Sequence, residues 1–155
     1  MAATPIPEGY HSLTPYLCVD GGTAAIAFYA RAFGARERMR LAGAEGKISH
    51  AELEIGDSVV MLADEHPDIG FRGPEHHQGS PVHLHLYVED VDAVYARAVE
   101  AGATPVRPVQ DQFYGDRSGS VRDPFGHTWH LATHKEDLSS EEVEARMRAM
   151  SQTGS

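Results

Sequence analysis

The 155-residue sequence has a single cysteine, Cys18, so no disulfide can form within the chain and a thiolate metal cluster is excluded. Basic residues are scarce. Against 23 Asp and Glu there are only 13 Lys and Arg, a formal net charge of −10. This balance argues against nucleic acid and anionic membranes as partners, and it is compatible with a cationic ligand. Long apolar runs are missing as well. VVMLA, ending at Ala63, falls far short of the roughly 20 residues a transmembrane helix needs. The start, MAATPIPEGYHS, has neither a basic n-region nor an apolar h-region, so a soluble, cytoplasmic protein without a secretory signal is expected. At 41% hydrophobic and 23% charged residues the composition is globular, with length for one ordinary domain or two small modules.

What the chain does have is an internal repeat. TPYLCVDGGTAAIAFYARAFGA (14–35) and HLHLYVEDVDAVYARAVEAGA (83–103) both read as a strand followed by a helix. Leu17 and Val19 match Leu86 and Val88 at an offset of 69, and Met61-Leu62-Ala63 matches His130-Leu131-Ala132 at the same offset. In the second copy Val91, Val94, Tyr95 and Ala98 form one apolar stripe, with Asp90 placed to cap the helix. Gly34 and Gly102 close the two helices. ARERMRLAG, KISHAELEI and DSVVMLADE then supply three strands to the first half. ATPVRPVQD, GDRSGSVRD and HTWHLATH do so in the second, with DPFG as a turn. The organisation predicted is a βαβββ module over 1–64, a linker or lid over 65–81, a second module over 82–134, and a C-terminal helix and tail over 135–155. Ser139, three residues before Glu142, has capping-box spacing for that last helix.

These paired modules resemble the vicinal oxygen chelate superfamily, which includes glyoxalase I, extradiol dioxygenases, and fosfomycin and bleomycin resistance proteins. The first and last of its signature stretches look most like the PhnB-like branch. The resemblance covers nearly the whole chain and implies an α+β fold of two βαβββ modules whose mixed sheets curl into a cupped, barrel-like cavity. It also implies a homodimer and a small-molecule ligand or substrate. Metal-using members draw ligands from the first and last strands of each module, positions that fall here on Thr14, Met61, His83 and His130. Two imidazoles, a hydroxyl and a thioether lack the carboxylates glyoxalase I requires, which argues against that activity.

On a strand, His83 and His85 share a face, ~6.7 Å apart. His83 and His130 are candidate metal ligands, and KISHAELEI offers His50 as a third, with Glu52 as a general base. His85 is placed to orient substrate or pass a proton, and Tyr16, Tyr87 and Arg117 to bind substrate along with Thr14 and Met61. For several of these the alternative is a structural role: the solvated side of an amphipathic strand for His50 and Glu52, and pairing with Asp116 for Arg117. Cys18 reads as a small buried hydrophobe, Trp129 as core, and His127 and His134 as surface residues. The H-x-H-x3-E string of His83, His85 and Glu89 also resembles a cupin motif, but the helical stretch that follows Glu89 excludes a cupin.

Two functions remain open. One is a divalent-metal enzyme (Zn, Ni, Mn or Fe, with no organic cofactor) carrying out isomerase, lyase or ring-opening chemistry on adjacent substrate oxygens. The other is a metal-free protein that sequesters a small, cationic antibiotic or metabolite.

Overall fold

The computed structural model describes residues 2–153. The first module consists of β1 (Tyr16–Val19), α1 (Gly22–Phe33), β2 (Arg36–Ala42), β3 (Ile48–Ile55) and β4 (Ser58–Asp64). The second consists of β5 (Leu84–Tyr87), α2 (Val91–Ala101), β6 (Thr104–Asp111), β7 (Asp116–Arg122) and β8 (Thr128–His134). A final helix, α3 (Ser140–Thr153), begins where Ser139 Oγ accepts from Glu142 N at 3.2 Å, the expected cap. Gly154 and Ser155, at the end of the expected tail, lie outside the described residues.

Each module builds one four-stranded mixed sheet, ordered β1-β4-β3-β2 and β5-β8-β7-β6, so the architecture is the α+β pair of βαβββ modules expected. The repeat is carried into register. Tyr16 pairs with Met61 in parallel, as His85 pairs with His130. It extends to how each helix is started. Asp64 Oδ1 accepts from Gly21 N and Gly22 N at 2.8 Å, and its Oδ2 from Ile48 N at 2.8 Å. At the equivalent place, Thr133 Oγ1 accepts from Val91 N at 2.9 Å. The close approach explains Gly22, where a Cβ would sit 2.7 Å from Ile48 and 2.8 Å from Asp64.

Both sheets have one covered and one open face. In β3, Ala51, Leu53 and Ile55 are buried, and His50, Glu52 and Glu54 alternate with them on the other side. The covered faces join the modules, because α1 and α2 pack on each other and a single core spans both. Trp129 belongs to that core, its ring 4.6 Å from Phe33 and 5.5 Å from Tyr29.

A buried carboxylate locks this seam. Asp123 Oδ2 accepts from Tyr29 OH at 2.5 Å and from Trp129 Nε1 at 2.9 Å, while its Oδ1 accepts from Phe125 N and His127 N. Here the structure corrects the sequence reading. His127 is buried, with Nε2 2.9 Å from the Cys18 carbonyl, because the DPFG turn seats against the first module instead of facing solvent.

Candidate functional site

The open faces are built as rows running across the strands. In the second module, His85 on β5, His130 on β8, Ser120 on β7 and Arg107 on β6 are successive register partners. The corresponding row of the first module is Tyr16 on β1, Met61 on β4, Glu52 on β3 and Met39 on β2. Partners across a sheet present their side chains to one face, so each row is a stripe across its half of the cup.

On the second face, His83 Nδ1 lies 2.9 Å from His130 Nε2. The other nitrogen of His130, Nδ1, is hydrogen-bonded to the Ser120 hydroxyl at 2.6 Å, which fixes the ring plane. Burial and the neighbouring His83, His85 and Arg107 hold the His130 pKa below its ordinary value, keeping the ring in the neutral form that ligates metals. His85 stacks beside His130 with centroids 6.1 Å apart, and lies 4.8 Å from the Tyr87 ring. Its ring runs alongside the pair. Tyr87 OH donates to the buried Asp116 at 3.3 Å. His134 bridges Asp116 and Asp137 at 2.7 Å each, and these two carboxylates hold its pKa up.

The first face carries a hydrogen-bonded chain. Glu52 accepts from His50 Nε2 at 2.8 Å, so in the neutral ring Nδ1 is the acceptor for the Tyr16 hydroxyl at 2.7 Å. Tyr10 OH donates to the other Glu52 oxygen. These bonds, Tyr10 first and then His50, hold the Glu52 pKa down, while burial and the Glu52 charge push Tyr10 up to about 12. Burial and Glu52 also raise Tyr16. Phe71, from the inter-module segment, meets Tyr16 edge-on at 5.9 Å. Thr14 stands apart from both rows, sharing with His85 a recess of about 140 Å³ between the modules.

Within one chain, the ten site residues expected from sequence therefore fall into four places. Tyr16, His50, Glu52 and Met61 share the first face, and His83, His85, His130 and Tyr87 the second. Thr14 sits between them. Arg117 is elsewhere. It projects to the helix side of β7, where Asp92 of α2 takes its guanidinium at 2.8 and 3.0 Å and Asp111 at 3.2 Å. Asp92 and Asp111, and not the expected Asp116, are its partners. The period-2 alternation of SGSVRD held the clue, since it sets Arg117 opposite in facing to Ser118 and Ser120. Ser120 and Arg107 were not singled out from the sequence, and only pairing across three strands brings them beside His130.

A tetrahedral metal would separate two bound nitrogens by about 3.3 Å, so the His83–His130 pair fits two corners of such a site with a small opening. No group of three or more His, Cys, Asp or Glu able to hold a metal occurs among the described residues. A single chain thus supplies a pair of donors, and His50 lies on the other face.

This architecture, two βαβββ modules with open-faced mixed sheets, is the glyoxalase fold. Residues 10–131 match the Glyoxalase/Bleomycin resistance protein/Dioxygenase superfamily, and the chain belongs to it. Among relatives, an uncharacterized protein of Mycobacterium tuberculosis is 45% identical over 139 residues, covering 88% of this chain and 82% of that one. Among solved structures, TioX from Micromonospora sp. ML1 is similar at 28% identity with a TM-score of 0.62, over 83% of this chain and 100% of its own. An Arabidopsis thaliana gene product is similar at 29% identity with a TM-score of 0.64, over 79% and 98%. The fosfomycin resistance protein FosX of Listeria monocytogenes, at 18% identity with a TM-score of 0.61 over 86% and 97%, shares the fold.

Proposed function

We propose that the chain is a small-molecule enzyme of this superfamily that works as a homodimer and uses a divalent metal. His83 and His130 would hold it, with His50 of a second copy, its Nε2 turned from Glu52 to the metal, completing the set. The observation that supports this most directly is the convergence of His83 Nδ1 and His130 Nε2 to 2.9 Å, with the second ring anchored from behind by Ser120. Both sheets leave these polar faces open while their opposite faces are sealed by α1 and α2, which leaves each open face free to be walled by a second copy.

When bound, such a metal supplies Lewis-acid polarisation of substrate oxygens. The chain's own residues do the rest. Glu52, kept ionised with Tyr10 donating to it, is the proton acceptor, and His50 stands between it and the Tyr16 hydroxyl until its Nε2 turns to the metal. Tyr16, with its raised pKa, stays protonated, and its one O–H would turn from His50 Nδ1 to a developing oxyanion. Isomerase, lyase or ring-opening chemistry on a substrate with adjacent oxygens fits this set.

Mixed dimers test the reading. His83→Ala alone, and His50→Ala/Glu52→Gln alone, are each expected to lose stoichiometric zinc. Co-expressed, they restore one intact composite site in mixed dimers. Full zinc occupancy in either variant alone would sink the reading.

A second reading has its own support. The Tyr16–Met61–Glu52–Met39 row sets a carboxylate between two thioethers beside an aromatic ring, a surface suited to a cationic, partly apolar compound. A metal-free sequestering protein would use that row, and would bind such a compound without any metal.

A further inference from the structure

The row across the second face ends in an arginine with no assigned task. Arg107 is the register partner of Ser120, and Ser120 is both the register partner of His130 and its hydrogen-bond partner at 2.6 Å. Two strand spacings separate Arg107 from His130, about 9.6 Å between backbones, a gap an arginine side chain spans most of the way from its side. Its guanidinium is exposed, and no carboxylate pairs with it among the described residues. Arg36, Arg38, Arg40, Arg72, Arg117, Arg146 and Arg148 all stand within 4.0 Å of a carboxylate. Arg31, Arg97 and Arg122 do not, but of these unpaired arginines only Arg107 is a register partner in the row that holds His130. With a net charge of −10, carboxylates are plentiful, yet none approaches this arginine.

From this geometry we infer that Arg107 forms an anion subsite of the cup. It would take the carboxylate of a small compound whose neighbouring oxygen reaches toward His83 and His130. The ligand class is a 2-oxo or 2-hydroxy carboxylate, or a dicarboxylate of the same reach. A planar guanidinium offers paired donors matched to a carboxylate's two oxygens, and the His83 and His130 rings serve the second oxygen as hydrogen-bond partners. In the first module the equivalent row position is Met39, so the duplicated faces have diverged: one end is a cation and the other a thioether. The inference deepens the proposed small-molecule site and rests on it for the ligand's second oxygen. The charge on Arg107 does not depend on a metal.

The test is calorimetric titration of the intact protein with oxalate, run metal-free and after zinc loading. Wild type, Arg107→Gln and Arg107→Lys are compared, with Arg148→Gln on α3 as a control for general loss of positive charge. In whichever form binds, Arg107→Gln is expected to weaken oxalate about 10-fold or more and Arg107→Lys by less, with the control unchanged. Melting temperature and zinc content of Arg107→Gln should match wild type, which locates the loss in the anion subsite. Equal binding by wild type and Arg107→Gln, or no binding to either form of wild type, would overturn the inference. If wild type takes no zinc while the Arg107 effect persists in metal-free protein, the metal reading fails and the anion subsite stands.

Discussion

His130 is held from both sides: Ser120 bonds its Nδ1 at 2.6 Å and His83 faces its Nε2 at 2.9 Å. Since His130 points its free nitrogen at a second imidazole, the pair is arranged to share something between them, whether a proton or a cation. The Ser120 hydroxyl decides which nitrogen is presented. Ser120→Ala should therefore let the ring turn, weakening zinc about 10- to 100-fold with little loss of fold stability. Calorimetric zinc titration of the variant checks this, and an unchanged affinity would mean the hydroxyl does not orient the ring.

Asp64 gathers three backbone N–H groups where α1 begins, against one for Thr133 at α2. Asp64→Ala should cost about 2–5 kcal/mol of folding stability, because the Ile48 and helix donors lose their shared carboxyl acceptor. Thr133→Val should cost about 1–2 kcal/mol. Urea denaturation of the two variants would show whether that order holds.

Tyr29 OH and Trp129 Nε1 share Asp123 Oδ2 inside the seam between modules. Tyr29→Phe removes one donor from a buried carboxylate and should destabilise by about 1.5–3 kcal/mol. The loss should appear as one cooperative transition, since the same core spans both modules. Separate unfolding of the two halves would contradict a seam locked in this way.

How much of this was legible beforehand follows from where each partner lies. The 69-residue offset matched Leu17 and Val19 to Leu86 and Val88 and Met61 to His130, and duplicated modules keep their pairing, so these matches reappear in the strand registers. The alternation of KISHAELEI showed the open face of β3. The likeness of Asp64 to Thr133 emerged only with the fold. Asp123 and His127 were opaque. DPFG is a local turn by its residues, yet Asp123 bonds Tyr29 and His127 bonds the Cys18 carbonyl, 94 and 109 positions away. Nothing nearby in sequence encodes such a contact. Arg117 and Arg107 fail in opposite ways. The first sits beside an acidic neighbour but turns to α2, and the second lies in a proline-bearing edge strand with bulges in its register on either side.

Protonated His134 joins Asp116 to Asp137 at the start of the C-terminal tail, and these hydrogen bonds raise its pKa above 6.5. A raised folded-state pKa means the contribution is complete below the unfolded value and is lost as pH rises through the folded one. The tail contact should therefore loosen on the alkaline side of that pKa. Proton NMR titration of His134 should give a lower apparent pKa in Asp137→Asn than in wild type. Identical titrations would show that Asp137 does not hold the ring.

Cys18 is buried beneath the inter-module segment, and burial with Glu65 and Asp64 nearby pushes its thiol up to about 11. Iodoacetamide at pH 8 should leave the native protein unmodified and alkylate it fully once unfolded. Rapid native-state labelling, read by mass spectrometry, would show the segment opening readily over β1.

The metal content of tag-free protein, measured by mass spectrometry before and after chelation and reloading, with His83→Ala alongside, bears most directly on the proposed activity. The account predicts near one metal per chain, removed by chelation, regained on loading and absent from His83→Ala. No stoichiometric metal under any loading condition would contradict it, and the cup would then be a site for metal-free binding.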